Sequence, residues 1–263
     1  MALIPNTQNG TLTGTQRGTN DTLTGGNGTF NFLYGDAEAM VDSSKGGNDI
    51  LTGGNGAFNF LYGDAYYMYH NSKGGNDTLT GGNGGRNYLY GDAAFMADSS
   101  KGGNDILTGG SNNGGRNYLF GDAAHMFDSS KGGNDILTGG NGPYNELYGD
   151  AVNMYHNSIG GNDRLISGTG TDNMWGDAAY KGPSVTTGAD TFVFMTGSGN
   201  DAIYDFEHGK DHIEVSGYDY EFSDLNITSD GSDTIIDFWD GNSVTLIGIA
   251  DSVILTATDF IFS

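Results

Sequence analysis

Cysteine is absent from the 263 residues, so disulfides contribute nothing to stability, although that absence names no compartment. Basic residues are few: 10 Lys and Arg stand against 33 acidic residues, a net charge of −23. An acidic surface repels nucleic acid and anionic membranes, so neither is an expected partner. No window approaches 18 apolar residues, which leaves nothing to span a membrane. The N-terminal stretch from Met1 to Asn6 has no basic segment and does not read as a secretory signal peptide. Catalytic signatures are missing too: there is no HExxH, no GxSxG elbow and no Walker loop, and the expectation is a protein that is not an enzyme. His208 and His212 stand four apart in a strand-like segment, and His70, His125 and His156 are scattered; all read as surface histidines.

Glycine is abundant, at 47 residues. A chain so rich in glycine either stays disordered or uses it at a fixed period for tight turns. Self-repulsion at −23 also opposes a compact state unless cations neutralise it. About eight calcium ions would bring the charge to roughly −7, ordinary for a soluble domain.

A period decides between the two readings of glycine. Asn-Asp-x-Leu recurs with its aspartate at Asp21, Asp49, Asp77, Asp105, Asp135 and Asp163, spaced 28, 28, 28, 30 and 28 residues apart. Gly-Asp-Ala recurs with Asp36, Asp64, Asp92, Asp122, Asp150 and Asp177. The longer spacing comes from Ser111-Asn112-Asn113, an insertion that implies a surface turn. Within one unit, Asp49 to Thr52 and Asn59 to Tyr62 are short strands with Leu51 and Leu61 facing inward. Stacked units make two ladders, one from Leu23 to Leu165 and one from Leu33 to Met174. The remainder of each unit, such as Ala65 to Lys73, is an arm with an Ala-x-x-Met pattern, in which Asp64 is placed to cap a helical turn.

These features predict an all-β protein: a right-handed parallel β-roll or β-solenoid of about six 28-residue coils with a C-terminal β cap. Residues 1–20 form a lead-in, 21–181 the calcium-binding repeats and 182–263 the cap. Ile203, Phe206, Ile213, Val215, Ile235, Ile236, Phe238, Val244, Leu246, Ile254 and Phe260 are expected to fill the cap core.

The Asp-bearing turns suit a hard cation. Glycines let carbonyls bend toward a common point, aspartate adds charged oxygen, and calcium takes six to eight oxygens at about 2.3–2.6 Å. Soft ligands are lacking, which disfavours zinc and copper. Gly168 to Met174, Thr196 to Ile203 and the Gly-Gly-Asn-Asp turns resemble the nonapeptide of the RTX repeat family, and the stretch from Gly188 through Asp211 to Ile213 resembles that family's C-terminal cap. The resemblance implies a calcium β-roll that binds several Ca2+ ions. The carboxylates it points to include Asp172, Asp190 and Asp201 beside the Gly-Gly-Asn-Asp row, with Gly47, Gly75, Gly103, Gly133 and Gly161 shaping the turns. The Gly-Asp-Ala aspartates either bind metal or cap the arm. The chain departs from the pattern where Asn31, Asn59, Asn87, Asn117 and Asn145 replace aspartate: a neutral amide binds calcium weakly or not at all and instead hydrogen-bonds the backbone.

The resemblance further implies export by a type I route, with the end from Leu255 to Ser263 as signal or last strand, and an extracellular, monomeric protein of structural or adhesive role. Enzymes of that family carry their catalytic domain before the repeats, and repeats here begin near residue 10. Outward ladders from Phe32 to Tyr118 and from Tyr34 to Trp175 either lie under the arms, packed by Met40, Met68, Met96, Met126 and Met154, or form a strip for a cell-surface glycan. The outward threonines Thr24, Thr52, Thr80, Thr108 and Thr138 suit an exposed strand, with ice binding as the remote alternative.

Overall fold

The computed structural model describes residues 2–3, 10–111, 115–217, 219–238, 241–250 and 253–263. Each 28-residue unit forms three strands, one on each of three sheets. In one unit these are Ile50–Thr52 in sheet I, Phe58–Tyr62 in sheet II and Ala65–Met68 in sheet III. Like strands of successive units pair in parallel and in register, with Leu51 beside Leu79, Leu61 beside Leu89 and Met68 beside Met96. The result is a parallel β-solenoid with three flat walls.

Among the described residues sheet III has seven strands, one more than six repeats supply. The extra strand is Thr11–Leu12, which pairs with Ala39 and Met40. The lead-in is therefore already part of the stack. The insertion at Ser111 leaves the register intact, since Arg86 to Tyr90 pair with Arg116 to Phe120 across it. Asn112 and Asn113 themselves lie outside the described residues.

Two cores run the length of the solenoid. The leucines of sheets I and II meet in one, with Leu33 through Leu165 and Met174 fully buried and Leu23 packed at its open end. The second is built by sheet III from Ala37, Ala65, Ala93, Ala123, Ala151 and Ala178 alternating with the ladder from Met40 to Met154. The arms are thus strands and not helical turns, and Asp64 has no helix to cap. Their alanine and methionine point inward three residues apart, and the strand pairing skips the second residue of each strand. That irregularity imitates a helical period. The methionines accordingly pack on alanines and do not lie on the aromatic rings of sheet II.

The corner after sheet III is made by consecutive left-handed residues, such as His70 with Asn71 and Asp98 with Ser99. Asn, Asp and His tolerate that conformation best among residues with a side chain.

Sheet III ends at Ala178–Lys181. Sheets I and II continue: Thr191–Met195 pairs with Arg164–Ile166, and Asn200–Ile203 pairs with Asn173 and Met174. The C-terminal segment is therefore a further, two-walled stretch of the same stack. An antiparallel meander of Ser243–Leu246, Thr234–Asp237 and Asn226–Ser229 closes sheet II, and Phe260–Phe262 closes sheet I. Phe192, Phe194, Ile213, Phe238 and Leu246 fill its core. Ile254 does not join them: it is 75% exposed, and the next residue, Leu255, is the buried one.

Candidate metal centre

The two aspartate rows lie 13 residues apart in each unit, yet the corner geometry brings them face to face. Gly63-Asp64 ends sheet II, and Gly74 to Asp77 leads into sheet I of the next unit. One oxygen of each Gly-Gly-Asn-Asp carboxylate accepts a backbone N–H from the coil before it. The Asp49 N–H donates to Asp77 Oδ1 at 2.6 Å, and the chain of contacts continues through Asp105, Asp135, Asp163 and Asp190 at 2.6–2.8 Å. The Gly-Asp-Ala carboxylates accept the backbone N–H of Gly47, Gly75, Gly103, Gly133 and Gly161 at 2.6–3.0 Å. Those glycine residues thus shape the turn and anchor the opposite row.

The second oxygen of most of these carboxylates has no partner. Among the described residues, Oδ2 is buried and without a hydrogen bond in Asp49, Asp77, Asp105, Asp135, Asp163 and Asp190. The same holds for one oxygen in each of Asp36, Asp92, Asp122 and Asp150. A buried carboxylate oxygen left in that state is costly, and two ionised neighbours make it more so.

Glycine positions show where these oxygens point. A Cβ on Gly63 would lie 2.2 Å from Asp77 Oδ2 and 1.7 Å from the Gly91 carbonyl oxygen. A Cβ on Gly102 would lie 2.4 Å from Asp92 Oδ2 and 1.9 Å from Asp122 Oδ1. Both pairs are close enough for one cation to touch, and both sites recur up the stack. No three acidic or imidazole side chains gather at one point among the described residues. A cation here therefore takes one or two carboxylates and completes its shell with carbonyls, the all-oxygen set that suits calcium.

Charge accumulates along this column. Burial pushes the Asp49 carboxyl up to about 7 and the Asp77 carboxyl up to about 8, with nearby carboxylates adding to the effect. Asp64, Asp92, Asp105, Asp135, Asp150 and Asp163 are held well above the usual carboxylate range by burial first and then by neighbouring carboxylates, of the facing row for Asp64, Asp92, Asp135 and Asp150 and of their own row for Asp105 and Asp163. Successive Gly-Asp-Ala carboxylates, such as Asp64 and Asp92, come within hydrogen-bonding reach of each other. Two anions hold that contact only with a proton or a cation between them.

The C-terminal end of the column shows what satisfies it. Asp205 takes the place of the next Gly-Asp-Ala aspartate. Its carboxylate accepts the Gly176 N–H at 2.7 Å and lies 2.8 Å from the Lys181 ammonium, which also reaches Asp177 at 3.4 Å. Lys181 stands where the other units have methionine. In the facing row Asp211 closes the run, accepting the N–H groups of Asp190 at 2.9 Å and Glu207 at 2.8 Å. Neither Asp205 nor Asp211 belongs to the Gly-Asp-Ala or Asn-Asp-x-Leu patterns; in the sequence both fall in the stretch that resembles the C-terminal cap, and only Asp205 keeps the 28-residue spacing, from Asp177. Asp21, at the opposite end, is partly exposed.

The asparagine row is a different object. Asn31, Asn59, Asn87, Asn117 and Asn145 are fully buried, and each Nδ2 donates to the side-chain oxygen of the next unit. Asn87 also exchanges two bonds with Gly82, at 2.9 and 3.0 Å. Asp172 and Asp201 continue this row and share Ser167 Oγ at 2.8 Å each. Both oxygens of each are hydrogen-bonded within this row, unlike those of the facing carboxylates of the column.

The two rows should respond differently to substitution. Asn87→Ala strands partners on Gly82, Asn59 and Asn117, and should cost about 3 kcal/mol or more whether or not calcium is bound. Asp77→Asn keeps an acceptor for the Asp49 N–H but removes a charge. It should reduce the number of calcium ions bound while making the calcium-free chain easier to fold. Calorimetric ion counts and melting curves of both variants check this; a lower ion count for Asn87→Ala than for Asp77→Asn would reverse the assignment.

The outward rings of sheet II stack on each other. Successive rings from Tyr34 to Tyr204 lie 4.4–5.2 Å apart and within 16° of parallel, and those from Phe32 to Tyr118 lie 4.7–4.9 Å apart. Their faces are used by one another, and Tyr62, Phe120 and Tyr148 are buried outright. That arrangement stabilises register and leaves no ring face for a sugar except at the ends. On sheet I the row from Thr24 to Thr138 is followed by Ile166, and exposed Ile50, Ile106 and Ile136 run beside it. His208 pairs with Asp259 at 2.8 Å, and His212 lies within the strand His212–Ser216.

Residues 145–261 match the family model described as the peptidase M10 serralysin C terminal, an RTX-type calcium-binding β-roll domain. No curated protein sequence matches the chain. Among solved structures, the extracellular lipase LipA from Serratia marcescens aligns at 17% identity with a TM-score of 0.36, covering 84% of this chain. The chain spans 40% of that lipase's length.

Proposed function

We propose that this RTX-type β-solenoid protein is secreted, folds when it meets calcium outside the cell, and has a structural or adhesive role without catalysis. The observation that carries the reading is the buried column of carboxylate oxygens that lack partners. Such a column is stable only when charge is supplied, and where the chain supplies it, it does so with the Lys181 ammonium. Calcium acts on the folded state alone, so each bound ion adds RT ln(1 + [L]/Kd) to stability. Scarce cytosolic calcium then leaves the chain loose enough to pass a type I channel, and millimolar calcium outside folds it. Asp172 and Asp201 stand outside the proposed calcium set, and the Gly-Asp-Ala aspartates stand inside it.

The test is circular dichroism of the whole chain in chelator and in calcium. Mostly disordered chain is expected in chelator and full β-structure in millimolar calcium, with magnesium a poor substitute because it demands a stricter octahedron. Identical spectra in chelator and calcium at neutral pH would sink the proposal.

A further inference from the structure

Five of the chain's ten basic residues stand in one line. Arg17, Lys45, Lys73, Lys101 and Lys131 are bridged strand to strand at the corner between sheet III and sheet I. Their backbones are one strand spacing apart, about 4.8 Å. Lys45 is half-buried and the other four are exposed. None of the five makes an ion pair among the described residues, although the chain carries 33 acidic residues. Acids at the same corner are engaged elsewhere: Asp98 pairs with His70 at 3.3 Å and Asp128 with His156 at 2.7 Å. Like charges directly opposite on a sheet are destabilising, so the row stands at a cost to the fold.

A second row runs beside the first. Three residues after each cation comes an exposed asparagine, from Asn20 to Asn134. Each of their Oδ1 atoms accepts the backbone N–H of the asparagine in the next coil, at 2.7–3.1 Å. A backbone N–H can bond only the oxygen end of an amide, which fixes the orientation. The Nδ2 ends are left to the solvent, without a partner among the described residues. Both rows therefore present donors only, one cation and one amide per coil.

We propose that this corner binds a linear acidic polysaccharide laid along the solenoid axis, with those carboxylates that face the protein meeting the row of cations. Charge complementarity and repeat select the ligand class: an extended chain of uronate rings repeats at a distance comparable to the strand spacing. The amide donors suit its hydroxyl and ring oxygens. Single-stranded nucleic acid fits less well, because it needs open ring faces for its bases. Phe127 and Tyr155, each just past a strand of sheet III, stack face to face at 5.0 Å and 3° and turn those faces to each other. The net charge of −23 does not exclude the site, since much of it sits in the buried column and is neutralised by the cations proposed there. The strip exists only in the folded chain and in that sense rests on the calcium reading.

The experiment uses the full chain in millimolar calcium and low salt, with its fold followed separately by circular dichroism. The probe is a labelled galacturonate hexasaccharide, too short for calcium to cross-link, and its methyl ester serves as the uncharged control. Wild type should bind the acid form and not the ester. Lys73→Gln/Lys101→Gln should weaken binding about five- to tenfold and fold at no higher calcium, since like-charge stacking is relieved. Asn76→Asp/Asn104→Asp keeps the acceptors for the backbone and places negative oxygen outward, and should abolish binding. A folded wild type that fails to prefer the acid form overturns the proposal, as does unchanged affinity in either double variant. Equal or tighter binding of an oligothymidylate of the same charge overturns the polysaccharide assignment. A chain that does not fold in calcium overturns the calcium reading instead, and circular dichroism tells the two failures apart.

Discussion

In chelator at pH 8 the chain should be largely unfolded, and acidification to about pH 4.5 should restore β-structure with no metal present. The direction follows from the carboxyl groups of the column. In the fold without metal, Asp122 and Asp177 titrate at about 6, Asp49 at about 7, Asp77 at about 8 and Asp190 at about 9, all raised first by burial. In the unfolded chain each titrates near 3.8. A group whose folded value lies above its unfolded value binds protons more tightly when folded. Its contribution to stability is fully present below about pH 3.8 and is lost as pH rises through about 6 to 9. An uncompensated buried ion costs several kcal/mol, so two or three can cancel the roughly 5–15 kcal/mol by which domains are usually stable. Protons should therefore replace calcium in the metal-free state and compete with it in the metal-bound state, so the calcium midpoint should rise as pH falls from 8 to 6. Circular dichroism against pH in chelator, with calcium titrations at several pH values, checks both signs. A metal-free chain that gains structure as pH rises would show that the column is not the seat of the calcium dependence.

The walls of the solenoid were legible in the sequence and its corners were not. A 28-residue period with Leu51 and Leu61 inward in each unit leaves one arrangement that buries both ladders, and the structure adopts it. Sheet III was hidden because Ala65 and Met68 are three apart, a spacing that belongs to helices more than to strands. Asp64 and Asp77 meet only because a two-residue left-handed corner folds the intervening arm back, and no local pattern announces that 13-residue approach. The same corner lines up Lys45, Lys73 and Lys101, which in the sequence are isolated single charges. The asparagine row was half visible: bonding of Asn59 to backbone is expected of a buried amide in a turn, while its donation to Asn87 depends on stacking in exact register. What the sequence hides in each case is a contact made across a corner or between coils.

Truncation after Lys181 should raise the calcium midpoint several-fold or leave the repeats aggregating. Removal of 182–263 strips Phe192 from Leu165 and Ile203 from Met174, opening the leucine core at its C-terminal end. Unpaired N–H and C=O groups then line the last strands of sheets I and II, a template for pairing with another chain. The column is damaged as well. Asp163 loses the carboxylate that accepts its N–H, since Asp190 is gone, and Asp172 loses Asp201 in the same way. Lys181 and Gly176 lose Asp205, so the last metal-free site, already closed by an ammonium, comes apart. The removed segment has an apolar core of its own around Phe194, Phe238 and Leu246, which makes it the natural place for folding to start. At the other end the described strands Ala2–Leu3 and Thr11–Leu12 are two residues each. Calcium titrations of the full and truncated chains, read by circular dichroism and by sedimentation, decide the matter. If residues 1–181 fold at the same calcium concentration and stay monomeric, the repeats nucleate themselves and the C-terminal segment is dispensable for folding.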